Sequence, residues 1–165
     1  MNANLEISRT AVATCSADSK LGVLGALASC FADAYGLDRA AVLEGLEERE
    51  RLGSTGFGRR VAIPHARIPG LERPVMALIK LDASVDFDAA DGLPVDLVIG
   101  LLSPPGGGAG HLHALAAISR MVRNEVIYEA LLRAEDADAL FAALTNLSDI
   151  MIANDNLNGA TRESA

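Results

Sequence analysis

Helices flanking buried strands in a single α/β layer domain are what this sequence predicts. Three observations carry that reading. Val75 to Leu81 and Val95 to Leu102 are nearly continuous in apolar residues, the pattern of strands covered on both faces. Segments with apolar residues every three or four positions lie on both sides of them, the mark of amphipathic helices. The chain has 165 residues and is half apolar (50%), with a mean hydropathy of +0.26, which suits one domain with a substantial core.

Asp18 to Tyr35 reads as the first helix, with Leu21, Leu24, Ala28, Phe31 and Tyr35 along one face. Gly36 stops it, because glycine accepts a left-handed conformation without a Cβ clash. Asp38 can cap a second helix whose apolar side is Val42, Leu43 and Leu46, and Gly53 closes that helix after the charged stretch 47–51. The segment 53–58 holds three glycines in six residues and reads as irregular. Val61 to His65 is a short strand, placed at an edge or a strand end by Pro64, which cannot donate to a ladder. An acidic connection, Asp82 to Gly92, joins the two apolar strands, and Ser103 to Gly110 is a loop. His111 opens a helix with Leu112, Leu115, Ile118 and Val122 on its apolar face. Glu125 to Arg133 is another helix, and Asp136 or Asp138 caps a last one through Leu144. Periodicity then fades, so residues 1–150 are assigned to one domain and 151–165 to a polar, flexible tail.

Composition excludes several functions. With 22 Asp and Glu against 14 Lys and Arg, the net charge is −8, which opposes nucleic-acid binding through a basic face. Aromatics at 4% leave little to stack on bases. No apolar run approaches the roughly 20 residues a spanning helix needs, and no signal peptide opens the chain, so the expectation is a cytoplasmic protein without membrane insertion. Cys15 and Cys30 make no disulfide framework, and Cys30 reads as a small buried hydrophobe.

Among the three histidines, His65 stands out. It follows the glycine-rich segment and Pro64, with Arg67 two residues on, a setting that suits an anion. His111 and His113 are about 200° apart on a helix and so cannot both hold one metal there. Asp82, Asp86, Asp88, Asp91 and Asp96 look like a magnesium site but fit a solvated edge better. There is no Gly-x-Ser-x-Gly elbow, no P-loop lysine and no strand before the glycines to support a dinucleotide fingerprint.

The stretch Arg49-Glu50-Arg51-Leu52-Gly53-Ser54-Thr55-Gly56-Phe57-Gly58, then Val61-Ala62-Ile63-Pro64-His65-Ala66-Arg67, resembles the phosphorylation site of bacterial phosphotransferase-system IIA domains of the fructose/mannitol type, which include the nitrogen-regulatory IIA proteins. Pro94 to Val98 and His111 to Ala116 agree with it, and the likeness spans nearly the whole chain. The resemblance implies a single α/β domain with a mixed sheet between helices. It implies phosphorylation of His65, with Arg49 beside it and His111 as second active-site histidine, and it gives His113 no role. It implies a phosphocarrier that needs no cofactor or metal, takes its group from a phosphorylated HPr-like protein, and acts on regulatory targets in nitrogen-related control. The glycine-rich loop, with the Ser54 and Thr55 hydroxyls, is expected to approach the phosphoryl oxygens. Arg59-Arg60 departs from the family pattern and is expected to add positive charge near the site. The alternatives are a sugar-transport IIA component that passes the group to a IIB protein, a non-catalytic binding module, and a metal-binding protein.

Overall fold

The computed structural model describes residues 5–146; the expected tail 151–165 lies outside them. Strand β1 (Glu6–Cys15) leads into helices α1 (Lys20–Tyr35) and α2 (Arg39–Arg51). Three short strands follow, β2 (Gly56–Gly58), β3 (Val61–Ala62) and β4 (His65–Arg67). The long strands β5 (Val75–Val85) and β6 (Val95–Ser103) precede helices α3 (Gly108–Arg123) and α4 (Glu125–Arg133), and a further helical run covers 137–146.

The sheet order is β1-β5-β6-β3-β2, with β4 also paired to β6. β1 lies parallel to β5, and β3 and β4 lie parallel to β6. β5 runs antiparallel to β6, and β2 to β3, so the sheet is mixed. Side chains alternate across it. Val75, Ala77 and Ile79 of β5 join a core with Leu24, Leu27 and Phe31 of α1 and Val42 and Leu46 of α2. Met76 and Leu78 join the opposite core with Ile118 of α3, Ile127 and Leu131 of α4, and Leu140. Burial from both sides is why β5 and β6 read as continuous apolar runs.

Asp38, Gly36 and Asp136 cap their helices as the sequence suggests, whereas α1 starts at Lys20 rather than Asp18, with Ser19 as its cap. The Ser19 hydroxyl accepts from the Gly22 N–H, and Asp38 from the Ala41 N–H. Gly36 is left-handed (φ 66°) and returns its N–H to the Ala32 carbonyl. Asp136, of the two candidates, caps the last helical run through the Ala139 N–H. Two apolar faces are rotated from expectation: Leu21 is 65% and Leu112 64% exposed. α3 begins at Gly108 rather than His111, and it buries His111, Ala114, Ile118 and Met121. Cys15 and Cys30 are free and half-buried, and burial pushes the Cys30 thiol up to about 11.

β1 carried no expectation, and the segment 53–58 is not irregular throughout. β1 pairs with β5 in two registers with extra residues between Ile7 and Val12, which destroys a two-residue period. The Tyr35 hydroxyl fills that break, accepting from the Ser8 N–H at 2.9 Å and donating to the Met76 carbonyl at 2.6 Å. β2 and β3 form a hairpin whose two turn residues, Arg59 and Arg60, both have positive φ (57° and 64°), as a two-residue primed turn requires.

Gly100 of β6 sits under α1, where a Cβ would lie 2.7 Å from Phe31 Cε2 and 2.8 Å from Leu27 Cδ1. Phe31 and Leu27 are fully buried and cannot retreat. Gly100→Ala is therefore expected to lower unfolding free energy by about 1–3 kcal/mol through overpacking, read by urea denaturation; an unchanged midpoint would contradict it.

Candidate functional site

The site forms where the end of α2 meets β4. A Cβ on Gly45 would fall 2.9 Å from Ile68 Cδ1 and 3.3 Å from the Ala66 Cβ, so this glycine lets the helix lie close to the strand. Arg49, one turn further along α2, then reaches His65. β3 and β4 are one edge of chain interrupted at Ile63-Pro64, both in register with β6. Pro64, which has no N–H, occupies that break, and its carbonyl accepts from the Leu101 N–H. The alternation of β4 turns Ala66 into the core and leaves His65 half-buried and Arg67 exposed on the other side.

The His65 ring is held at both nitrogens. Nδ1 lies 2.8 Å from the Ile63 carbonyl, which can only accept, so Nδ1 carries the proton. Nε2 is then the lone-pair nitrogen, and it accepts from Arg49 Nε at 3.1 Å. Arg49 Nη1 donates to the Gly53 carbonyl at 2.9 Å, tying the guanidinium to the exit of its own helix. The His111 ring centroid is 5.5 Å from that of His65. His111 is buried, 6% exposed, with Nδ1 2.8 Å from the hydroxyl of the fully buried Ser103. An open hollow of about 680 Å³ covers the group, lined by Arg49, Arg51, Leu52, His65, Arg67 and His111 among others.

Both imidazoles are held below their ordinary value of 6.5. For His65 burial is the main cause; the Ile63 carbonyl opposes it, the Arg49 charge adds to it, and Glu50 opposes it. For His111 the causes are burial, then the charges of His65 and Arg67. Both rings are therefore neutral near pH 7. The folded protein binds fewer protons here than the unfolded chain just below pH 6.5. Stability contributed by these rings is complete above that pH and is lost as pH falls through their lowered folded values. A chemical-denaturation series from pH 7.5 to 5 is expected to show this decline, reduced in His65→Gln.

The sequence-derived residues Arg49, His65 and His111 converge. Two expectations fail, those for the Ser54 and Thr55 hydroxyls and for the Arg59-Arg60 pair. Ser54 donates to the Phe87 carbonyl, and Thr55 donates its hydroxyl and N–H to Glu50, so neither hydroxyl faces His65. Arg59 pairs with Glu125 at 2.5 Å and stacks on Tyr128, and Arg60 pairs with Asp96, so the Arg59-Arg60 charges are spent outside the hollow. His113 is exposed. Asp82, Asp88, Asp91 and Asp96 each serve a separate partner: Ser16, Lys20, the Arg59 and Leu93 amides, and Arg60. Among the described residues no group of three His, Cys, Asp or Glu could hold a metal. Sequence reasoning missed Ser103 and the roles of Glu50 and the Ile63 carbonyl. Only the crossover from β6 to α3 brings Ser103 to His111.

A neutral imidazole under a guanidinium, in an open hollow at the surface of a helix-sheet-helix domain, presents a nucleophilic nitrogen beside a fixed positive charge. Residues 7–147 match the family model "Phosphoenolpyruvate-dependent sugar phosphotransferase system, EIIA 2". The chain belongs to that phosphocarrier family, and its fold is the mannitol/fructose-type IIA fold. It is 44% identical over 127 residues to a nitrogen regulatory protein of Bradyrhizobium diazoefficiens, covering 77% of this chain and 83% of the relative. It is 41% identical over 98 residues to the fructose-specific EIIA component of the phosphotransferase system of Haloferax volcanii, covering 59% and 64%. The nitrogen regulatory protein IIA-Ntr of Neisseria meningitidis superposes with a TM-score of 0.76 at 33% identity, over 84% of this chain and 95% of that one. No helix among the described residues is long and apolar enough to cross a membrane.

Proposed function

We propose that this chain accepts a phosphoryl group on His65 from an HPr-like protein and that its phosphorylation state is read by regulatory target proteins in nitrogen-related control. The observation that carries the proposal is the His65 ring, with its proton fixed on Nδ1 by Ile63 and its Nε2 lone pair facing Arg49. The Nε2 lone pair attacks phosphorus in line. The bond from phosphorus to the donor's imidazole nitrogen breaks, and the donor ring keeps that electron pair. Positive charge develops on the His65 ring and is taken up at Nδ1–H against the Ile63 carbonyl. Retaining that proton keeps the phosphorylated ring a good leaving group for onward transfer. Arg49 exchanges Nε2 for the phosphoryl oxygens, which its planar fork can bind at two points. His111 lies near enough to hydrogen-bond the same group. Arg67 and Arg51 add positive charge to the rim, and Leu52, 84% exposed, offers it an apolar contact. The proposed setting is the cytoplasm, and none of these steps requires a metal or cofactor.

The nitrogen regulatory relatives favour the regulatory reading. The fructose-specific relative keeps a second reading alive, in which the group passes to a IIB protein during sugar uptake. Mixing the protein with a phosphorylated HPr-like donor and then with a IIB protein, with intact masses read at neutral pH, separates the two. Uptake of one phosphoryl group that is not passed to IIB supports the regulatory reading. Rapid loss to IIB supports the transport reading, and no uptake overturns both.

A further inference from the structure

Glu50 follows Arg49 in the last turn of α2, yet its carboxylate faces away from the hollow and is only 6% exposed. A carboxylate so buried is costly unless it is fully hydrogen-bonded. Its partners come from two other parts of the chain. Thr55 donates its N–H to Oε1 at 3.0 Å and its hydroxyl to Oε2 at 2.5 Å. Lys20, at the start of α1, lies 3.0 Å from Oε1 and also reaches Asp88 at 3.1 Å, its ammonium 5.3 Å from the Phe87 ring centre. From Thr55 the chain of bonds continues. The Ile63 N–H donates to the Thr55 carbonyl at 2.9 Å, and the Ile63 carbonyl accepts from His65 Nδ1 at 2.8 Å.

Adjacent residues of one helix thus hold the two nitrogens of one ring. Arg49 does so directly at Nε2, and Glu50 does so at Nδ1 through Thr55 and Ile63. Resting on the proposed role of His65, we infer that Glu50 is a positioning residue that fixes the orientation and tautomer of the His65 ring through Thr55 and Ile63. It touches neither the phosphoryl group nor the reacting nitrogen. The charged and titratable groups around the ring and its hollow are Glu48, Arg49, Glu50 and Arg51 from α2, Arg67 from its own strand and His111 from α3. Of these, Glu50 is the one whose charge opposes the lowering of the His65 titration.

The test uses the full chain with Glu50→Gln and Glu50→Ala. Ring nitrogen NMR gives the tautomer and titration of His65, and a single-turnover assay with a phosphorylated HPr-like donor gives uptake. Glu50→Gln retains the shape and one acceptor for Thr55, and its His65 should titrate at lower pH than in the wild type. Glu50→Ala should mix the two His65 tautomers and slow uptake by roughly tenfold or more, the scale on which misplaced reacting groups lose rate. Wild-type tautomer, titration and rate in both variants would overturn the inference. So would a rate loss that tracks only the unfolded fraction measured by circular dichroism. If the wild type takes up no phosphoryl group, the proposed function fails, while the NMR comparison still decides whether Glu50 positions the ring.

Discussion

His65→Gln is expected to take up no phosphoryl group from a phosphorylated donor, while the wild type gains one. Glutamine approximates the size and polarity of the side chain, but its amide nitrogen has no nucleophilic lone pair. Because His65 is half-buried at the edge of the hollow, the fold should survive the change, and thermal unfolding should stay close to that of the wild type at pH 7.5. His111 cannot substitute: it is 6% exposed, and its Nδ1 is engaged by Ser103. Uptake by His65→Gln, read as intact mass at neutral pH, would contradict the assignment of the nucleophile.

Arg49→Ala should slow uptake by about a hundredfold or more, the loss typical when a preorganised donor to a charged transition state is removed. Arg49→Lys should recover part of the rate, because an ammonium keeps the charge but not the fork that spans two acceptors. The guanidinium also has a measurable effect at rest. Its charge contributes to holding His65 low, so Arg49→Ala should move the His65 titration upward. Glu50→Gln should move it downward. Opposite shifts from neighbouring residues of one helix distinguish charge effects from general loosening of the site. Equal rates in wild type and Arg49→Ala would remove Arg49 from the mechanism.

The central strands and helices α1 to α4 were legible because burial leaves a direct trace in sequence. β5 and β6 are covered on both faces, and their apolar runs say so. β1 was not legible because extra residues in its pairing with β5 break the alternation, and a hydroxyl from α1 mends the gap. The β2–β3 turn was hidden for another reason. Arg59 and Arg60 have no local preference for positive φ, and distant groups impose it: Asp91 holds the Arg59 N–H, Tyr128 holds the Arg59 carbonyl, and Asp96 and Leu97 donate to the Arg60 carbonyl. The same limit applies to the site. His65 and His111 could be singled out by residue type, and Arg49 by resemblance alone. Ser103, and the line from Glu50 through Thr55 and Ile63, become visible only when strands fold beside one another, because a carbonyl or buried hydroxyl carries no signature of its partner.

The central claim is that Nε2 of His65 receives the phosphoryl group while Nδ1 keeps its proton against Ile63. Phosphorus and ring-nitrogen NMR on the phosphorylated protein, labelled with ¹⁵N in its histidines, tests this directly. The structure predicts a phosphorus–nitrogen coupling to Nε2 of His65 alone, with the Nδ1 proton still present. A coupling to Nδ1, or to either nitrogen of His111 or His113, would contradict it.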